Sequence, residues 1–178
     1  MAIFPRAVLL FRFAVLVLLL FAGSAHGQWR ELDWLELMPE EDLRLLESLP
    51  QIEHEGDGPV ELPDEIMTGR VVPEMDGVEV RIPGFVVPLK TIGSDQRIVE
   101  FFLVPYYGAC IHVPPPPPNQ IIHVTYKPGF TLGALYEPVW VQGTLKTEPV
   151  ENDIAAASYT LVSEEVELYE MDDADSML

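Results

Sequence analysis

A thiol and an imidazole stand two positions apart at Cys110 and His112, and both residue types bind metal ions or take part in nucleophilic catalysis. Cys110 is the only cysteine among the 178 residues, so it cannot form an internal disulfide. If this segment is extended, both side chains point to one face, because side chains alternate along a strand. Thiolate and imidazole together suit zinc or copper. The pair therefore predicts a zinc or copper site, and the alternative is that Cys110 is a small core residue.

A third candidate ligand, His123, lies at the start of a predicted strand over residues 121–127. If this strand runs back beside the preceding segment, His123 comes near Cys110 and His112. Both faces of the strand carry apolar residues, so the pattern leaves open which face His123 occupies. The predicted metal ligands are Cys110, His112 and His123.

Catalysis by Cys110 with His112 as its base is a weaker alternative. Residues at positions i and i+2 of a strand are poorly placed for the roughly 3 Å contact that a nucleophile and its base require. The sequence also contains no G-x-S-x-G, no phosphate-binding glycine loop and no H-E-x-x-H. We therefore predict a binding module without catalytic residues.

The chain begins like a secretory signal peptide. Arg6 and Arg12 are followed by an apolar run at 13–22 and by small residues with the spacing Ala25-x-Gly27. The apolar run is shorter than the about 20 residues that span a bilayer. The pattern predicts cleavage of residues 1–27 on export, a periplasmic mature protein and no transmembrane helix in that mature chain.

An unbroken run of five prolines follows Val113. Proline fixes φ and lacks a backbone donor, so the run predicts a stiff polyproline II rod. A rod flanked by tyrosines is compatible with a docking role, in which the rod contacts an aromatic groove of another envelope protein. This hypothesis assigns the interaction to Pro114, Pro115, Pro116, Pro117, Pro118, Asn119 and Gln120. The alternative is a rigid connector packed on the protein's own tyrosines. Asn119 and Gln120 would then satisfy strand ends or the carbonyls that the prolines leave without nearby donors.

The composition is strongly acidic, with 10 basic and 29 acidic residues and a net charge of −19. Cleavage after Gly27 would leave 8 basic residues against 29 acidic ones, which gives a net charge of −21. A chain of this charge repels phosphate backbones, so we predict that nucleic acid is not a partner. The charge suits a cationic partner, a metal ion or solubility alone.

From Val78 to Ile82, apolar and polar residues alternate with the period of two that is typical of half-buried strands. Gly84 interrupts the first long strand and predicts a bend, by which small barrels turn a corner. Five strands favour a mainly β fold, a small five-stranded OB-like barrel with an N-terminal helical segment, over a β-sandwich. The predicted parts are a signal peptide (1–27), a helical segment with an acidic linker (28–76), a β-barrel domain (77–169) and an acidic tail (170–178).

Three segments, 82–89, 100–105 and 108–120, carry a resemblance to a known family. The third is the most specific, because it joins Cys110 and His112 to the proline run and to Asn119-Gln120. The chain resembles a family of exported proteins of Gram-negative bacteria that is catalogued only as a domain of unknown function. The resemblance implies a periplasmic protein, often encoded near ABC-transporter components, with envelope or ABC-transporter proteins as partners. It implies no established activity.

Overall fold

The computed structural model describes residues 29–48, 62–109 and 116–169. The predicted signal peptide and acidic tail lie outside the described residues, as do Cys110, His112, Pro114 and Pro115. The described elements are β1 (Arg30–Glu31), α1 (Glu40–Ser48), α2 (Asp64–Met67), β2 (Glu79–Ile92), β3 (Arg97–Val104), β4 (Ile122–Phe130), β5 (Val139–Lys146), β6 (Val150–Glu151), β7 (Ala156–Ala157) and β8 (Tyr159–Leu168), with short 3-10 helices at Trp34–Leu37, Pro73–Met75 and Pro118–Gln120. Within these ranges, no helix has the length and apolar character needed to cross a membrane.

Five of the strands close into a barrel. β2 pairs antiparallel with both β3 and β5, β3 pairs antiparallel with β4, and β5 pairs antiparallel with β8. The parallel pair of β4 and β8 closes the ring. The prediction of a small five-stranded barrel is therefore confirmed, and closure excludes the β-sandwich alternative.

β2 changes partner at its glycine. Up to Gly84 the strand pairs with β5, and from Phe85 onward it pairs with β3. A Cβ atom on Gly84 would lie 2.8 Å from Leu103 Cγ and 2.8 Å from the Val104 carbonyl oxygen, so the crossing has no room for a side chain. The predicted bend at this glycine is a corner of the barrel.

Alternate positions of the strands fill the barrel interior. On β3, Phe101 and Leu103 point inward and are fully buried, together with the Val139, Val141 and Leu145 side chains of β5. This is the period-two pattern seen in the sequence, and it places the intervening residues on the outer face.

The outer face of the barrel carries a second, smaller core. Phe102 of β3 is fully buried there, although it points away from the barrel interior. It packs in a cluster whose other buried members are Val87, Val104, Ala109, Ile121 and Ala157. Two of these, Ala109 and Ile121, belong to the connection between β3 and β4, so this cluster holds that connection against the sheet.

The N-terminal helical segment is divided in two. The sequence predicts helical structure over 29–50 with a helix start at Pro39, and the structure has the 3-10 helix Trp34–Leu37, an extended Met38 and then α1 from Glu40. The break has a local cause, since a residue before proline avoids the helical region and Met38 precedes Pro39.

The predicted acidic linker also contains structure that its composition did not indicate. Within the described part of the linker, α2 forms and buries Ile66 completely. Nearby, Arg70 forms ion pairs with the buried Asp42 and with Glu41 of α1. The hydrogen bond to Asp42 raises the pKa of the Arg70 guanidinium. These contacts tie the end of the linker to the N-terminal helix.

Candidate functional site

The predicted ligand His123 lies on the outer face of the barrel, beside an acidic residue. Its ring atom Nε2 is 3.0 Å from Oε1 of Glu100, and only 12% of the His123 side chain is exposed. His123 stands opposite Phe102 in the β3–β4 register, and Glu100 lies two residues before Phe102 on the same face. The structure thus settles the direction of His123, which the sequence left open, and adds Glu100, which sequence reasoning missed.

His123 borders the outer cluster that holds the β3–β4 connection. The His123 and Phe102 rings meet edge to face, with centroids 5.9 Å apart. Phe102 shares its cluster with Ala109, the residue before Cys110 in the sequence. The described part of the structure therefore shows an imidazole with a carboxylate partner, and its ring contacts Phe102 of the cluster that also contains Ala109.

Cys110 and His112 lie outside the described residues, so the structure does not test whether they join His123. Within residues 29–48, 62–109 and 116–169, no three His, Cys, Asp or Glu side chains are grouped so that they could hold a metal ion. His123 and Glu100 supply only two side chains, whereas zinc sites use three or four protein ligands, so this pair does not hold an ion by itself.

The end of the proline run is buried rather than exposed. Pro116 and Pro117 are buried, and Pro118 begins a 3-10 helix that ends the polyproline geometry. Asn119 is fully buried and Gln120 is 8% exposed. Burial of these side chains disfavours a direct contact with a partner at these four positions, and the interaction hypothesis for the run as a whole stays a prediction.

Asn119 and Gln120 instead bind the N-terminal part of the chain. The Asn119 Nδ2 donates to the Arg70 carbonyl at 2.9 Å, and the Gln120 Nε2 donates to the Trp34 carbonyl at 2.8 Å. This agrees with the alternative in which the two amides serve the fold, although the carbonyls belong to distant segments and not to strand ends.

Residues at the start of β8 add further hydrogen bonds between the barrel and the N-terminal part of the chain. The Tyr159 hydroxyl donates to the Leu37 carbonyl at 2.9 Å and accepts from the Val72 amide at 2.7 Å. Burial raises the pKa of the Tyr159 phenol, and the hydrogen bond from Val72 opposes that rise. The adjacent Ser158 hydroxyl donates to the Gly69 carbonyl at 2.6 Å. Together these bonds fasten the N-terminal segment to the barrel.

Aromatic side chains that remain exposed lie on two loops next to β3 and β5. Tyr106 and Tyr107 follow β3 and are 44% and 55% exposed, and Tyr136 precedes β5 and is 65% exposed. The Tyr107 ring lies 6.1 Å from Phe85 and 6.4 Å from Tyr136, measured between centroids. We call Phe85, Tyr106, Tyr107 and Tyr136 the tyrosine surface.

Comparison with known proteins places the chain in a family. A family model described as "Protein of unknown function (DUF3299)" matches residues 34–168. The chain belongs to the DUF3299 family. Membership confirms the resemblance to a family of unknown function, whereas export of this DUF3299 protein and its genomic neighbourhood stay predictions.

One solved structure of the same family is similar to this chain. The crystal structure of a DUF3299 family protein from Pseudomonas aeruginosa PAO1 is similar at 36% sequence identity and a TM-score of 0.64, and the match covers 82% of this chain and 99% of that one. OBody AM3L09, solved bound to hen egg-white lysozyme, is similar at 15% identity and a TM-score of 0.36, with 66% of this chain and 100% of that one covered. Among curated proteins, the chain has no match.

Proposed function

We propose that this DUF3299 protein is a periplasmic, non-catalytic binding module that holds a divalent metal ion, zinc or copper. The proposed ligands are Cys110, His112 and His123. A lone cysteine in an exported protein needs a role other than an internal disulfide, and a metal-bound thiolate is one such role. The signal-like residues 1–27 support the location.

The observation that carries the proposal is the position of His123. It lies on the outer face 3.0 Å from a carboxylate oxygen of Glu100, at the edge of the cluster that contains Ala109. A metal-bound histidine commonly uses one ring nitrogen for the metal and the other for a carboxylate. The β3–β4 connection, which contains Cys110 and His112 in sequence, starts from this cluster and returns to it at Ile121.

Assistance to an ABC transporter is the biological role that we attach to this module. The support is the family resemblance, which implies genes for transporter components nearby. A periplasmic protein that binds zinc or copper would deliver the ion to such a transporter or accept the ion from it.

Metal uptake tests the proposal directly. We expect the purified protein to take up one zinc or copper ion in native mass spectrometry, and we expect Cys110→Ser, His112→Ala and His123→Ala each to lose uptake at equimolar metal. His54→Ala is the matched control, because it also removes a histidine but one that is not a proposed ligand and lies between Glu53 and Glu55 in the acidic linker. This variant should keep its uptake. Equal uptake by the wild type and Cys110→Ser would remove the thiol from the site.

A second function, docking to an envelope or ABC-transporter protein, is favoured by the tyrosine surface. This proposal does not use the end of the proline run as the contact, because Pro116 and Pro117 are buried. The exposed tyrosines provide another contact, because tyrosine is enriched at protein interfaces.

Co-purification from envelope fractions distinguishes this second function. We expect Tyr107→Ala/Tyr136→Ala to lose partners that the wild type retains, because both exposed rings are removed. Ile154→Ala, a change at another exposed apolar side chain, is the control and should retain them. Unchanged partners in the double variant would exclude the tyrosine surface as the contact.

A further inference from the structure

We infer that a groove between the N-terminal segment and residues 71–75 binds a small amphiphilic cation, an organic molecule in which an apolar group carries an amine or a quaternary ammonium. The groove shares no residue with the tyrosine surface or with the proposed metal ligands. The inference therefore goes beyond the proposed function and does not depend on it.

Two segments that are distant in sequence form the walls of this groove. One wall is provided by residues between Leu35 and Leu43, and the other by residues from Val71 to Met75. The groove has a volume of about 430 Å³. This volume lies within the range of about 300–1,000 Å³ that is usual for small-molecule sites. The size therefore suits a small organic ligand.

Hydrogen bonds of the barrel hold the two walls in place. The Tyr159 hydroxyl donates to the Leu37 carbonyl at 2.9 Å and accepts from the Val72 amide at 2.7 Å, so a single oxygen atom joins both walls. Arg70, directly before the second wall, forms ion pairs with Glu41 and Asp42 of α1. The groove is thus formed in the absence of a ligand, which lowers the cost of ordering the site on binding.

The lining of the groove is mainly apolar. Met38 and Met75 are 4% and 6% exposed, and Leu43, Val71 and Val72 are half-buried. Burial of apolar surface is favourable, and methionine side chains adapt to ligands of different shape. This lining therefore accepts the alkyl chain or ring of a ligand.

Carboxylates give the groove its charge preference. Of the three that line it, Glu36 forms an ion pair with Arg30, and Glu40 forms one with Arg44. The third, Glu74, is exposed, and its side chain makes no hydrogen bond or ion pair within residues 29–48, 62–109 and 116–169. Glu74 is therefore the carboxylate that is available to a cationic group.

Charge also decides between possible occupants. A second copy of this chain carries a net charge of −19 and is repelled. The chain's own segments 49–61 and 170–178, outside the described residues, each contain four acidic residues and no Lys or Arg. Juxtaposition of like charges disfavours both segments as occupants, whereas a cation from outside the chain is attracted. The occupant that fits the groove is therefore an external ligand with an apolar group and a positive charge.

Titration of the purified protein with three probes that share an octyl chain tests the inference. The probes are octyltrimethylammonium, octanoate and octyl glucoside, each used below micelle formation, with the methionine methyl signals followed by NMR. We expect octyltrimethylammonium to shift the Met38 and Met75 signals. Octanoate should bind on the order of tenfold more weakly, because attraction to the rim becomes repulsion. Octyl glucoside should lie between the two.

Two variants separate the charge from the apolar contact. Glu74→Gln should bind octyltrimethylammonium about two- to fivefold more weakly and octyl glucoside unchanged, since an exposed ion pair contributes little. Leu35→Ala should weaken the binding of both probes, because this 55% exposed side chain lines the groove. The matched controls are Glu79→Gln and Leu135→Ala, exposed residues outside the groove, which should change neither affinity.

Two outcomes would overturn the inference. One is the absence of any shift at Met38 and Met75 with octyltrimethylammonium, and the other is an equal affinity for all three probes. Urea unfolding of each variant checks that the fold is retained. Metal uptake is measured separately, so failure of the groove to bind a cation leaves the proposed function standing, and the reverse also holds.

Discussion

Gly143→Ala is expected to weaken or prevent closure of the barrel. Gly143 lies on β5 where this strand meets β8, beside a register shift between Gln142 and Gly143. A Cβ atom there would lie 2.3 Å from the Val162 carbonyl oxygen and 2.9 Å from Ser163 Cα. Both are backbone atoms of the neighbouring strand, so they cannot move without separating the strands.

The cost of this substitution should be at the upper end for overpacked sites, about 3 kcal/mol or more of the free energy of unfolding. Urea denaturation followed by circular dichroism measures it. Gly133→Ala is the matched control, because the nearest atoms to a Cβ there are the Glu137 carboxylate oxygens at 3.0 and 3.2 Å, at the flexible end of a side chain. A stable Gly143→Ala protein with wild-type unfolding would show that β5 and β8 are not packed this closely.

Phe102→Ala should destabilise the protein and loosen the connection that contains the proposed metal ligands. Phe102 is fully buried in the outer cluster, and truncation of a buried phenylalanine costs about 3–5 kcal/mol. The same cluster contains Ala109 and Ile121, which belong to the described parts of the β3–β4 connection on either side of Cys110 and His112. We therefore expect faster hydrogen exchange at the Ala109, Gln120 and Ile121 amides than the loss of global stability alone would give.

The neighbouring residue provides the control for this experiment. Phe101 is equally buried but points into the barrel interior. Phe101→Ala should therefore cost a similar free energy while exchange in the connection rises only with global unfolding. Identical exchange patterns in the two variants would contradict the separation of the inner and outer cores.

The barrel could be predicted because its causes are local. Alternation in the first half of β2 and along β5 reflects one inward and one outward face, and Gly84 and Pro83 mark the corner within a few residues of sequence. The start of α1 also has a local cause, because Pro39 and the three acidic residues after it mark a helix N-terminus in the sequence.

The candidate site was less predictable because its contacts cross the chain. Asn119 and Gln120 bind carbonyls 49 and 86 residues away, so an exposed and a buried role look the same in sequence. Glu100 and His123 meet only through the β3–β4 register, which neither segment specifies alone. The metal itself, the partner and the role of Cys110 and His112 stay predictions.

The fastening of the N-terminal segment has a consequence for the order in which this chain folds. Tyr159 bonds Leu37 across 122 residues and Val72 across 87, and Gln120 bonds Trp34 across 86. Contacts so distant in sequence form slowly, on a scale of about milliseconds to seconds for barrels of this type. Leu37 is synthesised early, yet its partner Tyr159 exists only after β8 has been made. Until then the amphipathic N-terminal segment has no barrel to bind, and an early stop in synthesis would leave it without one.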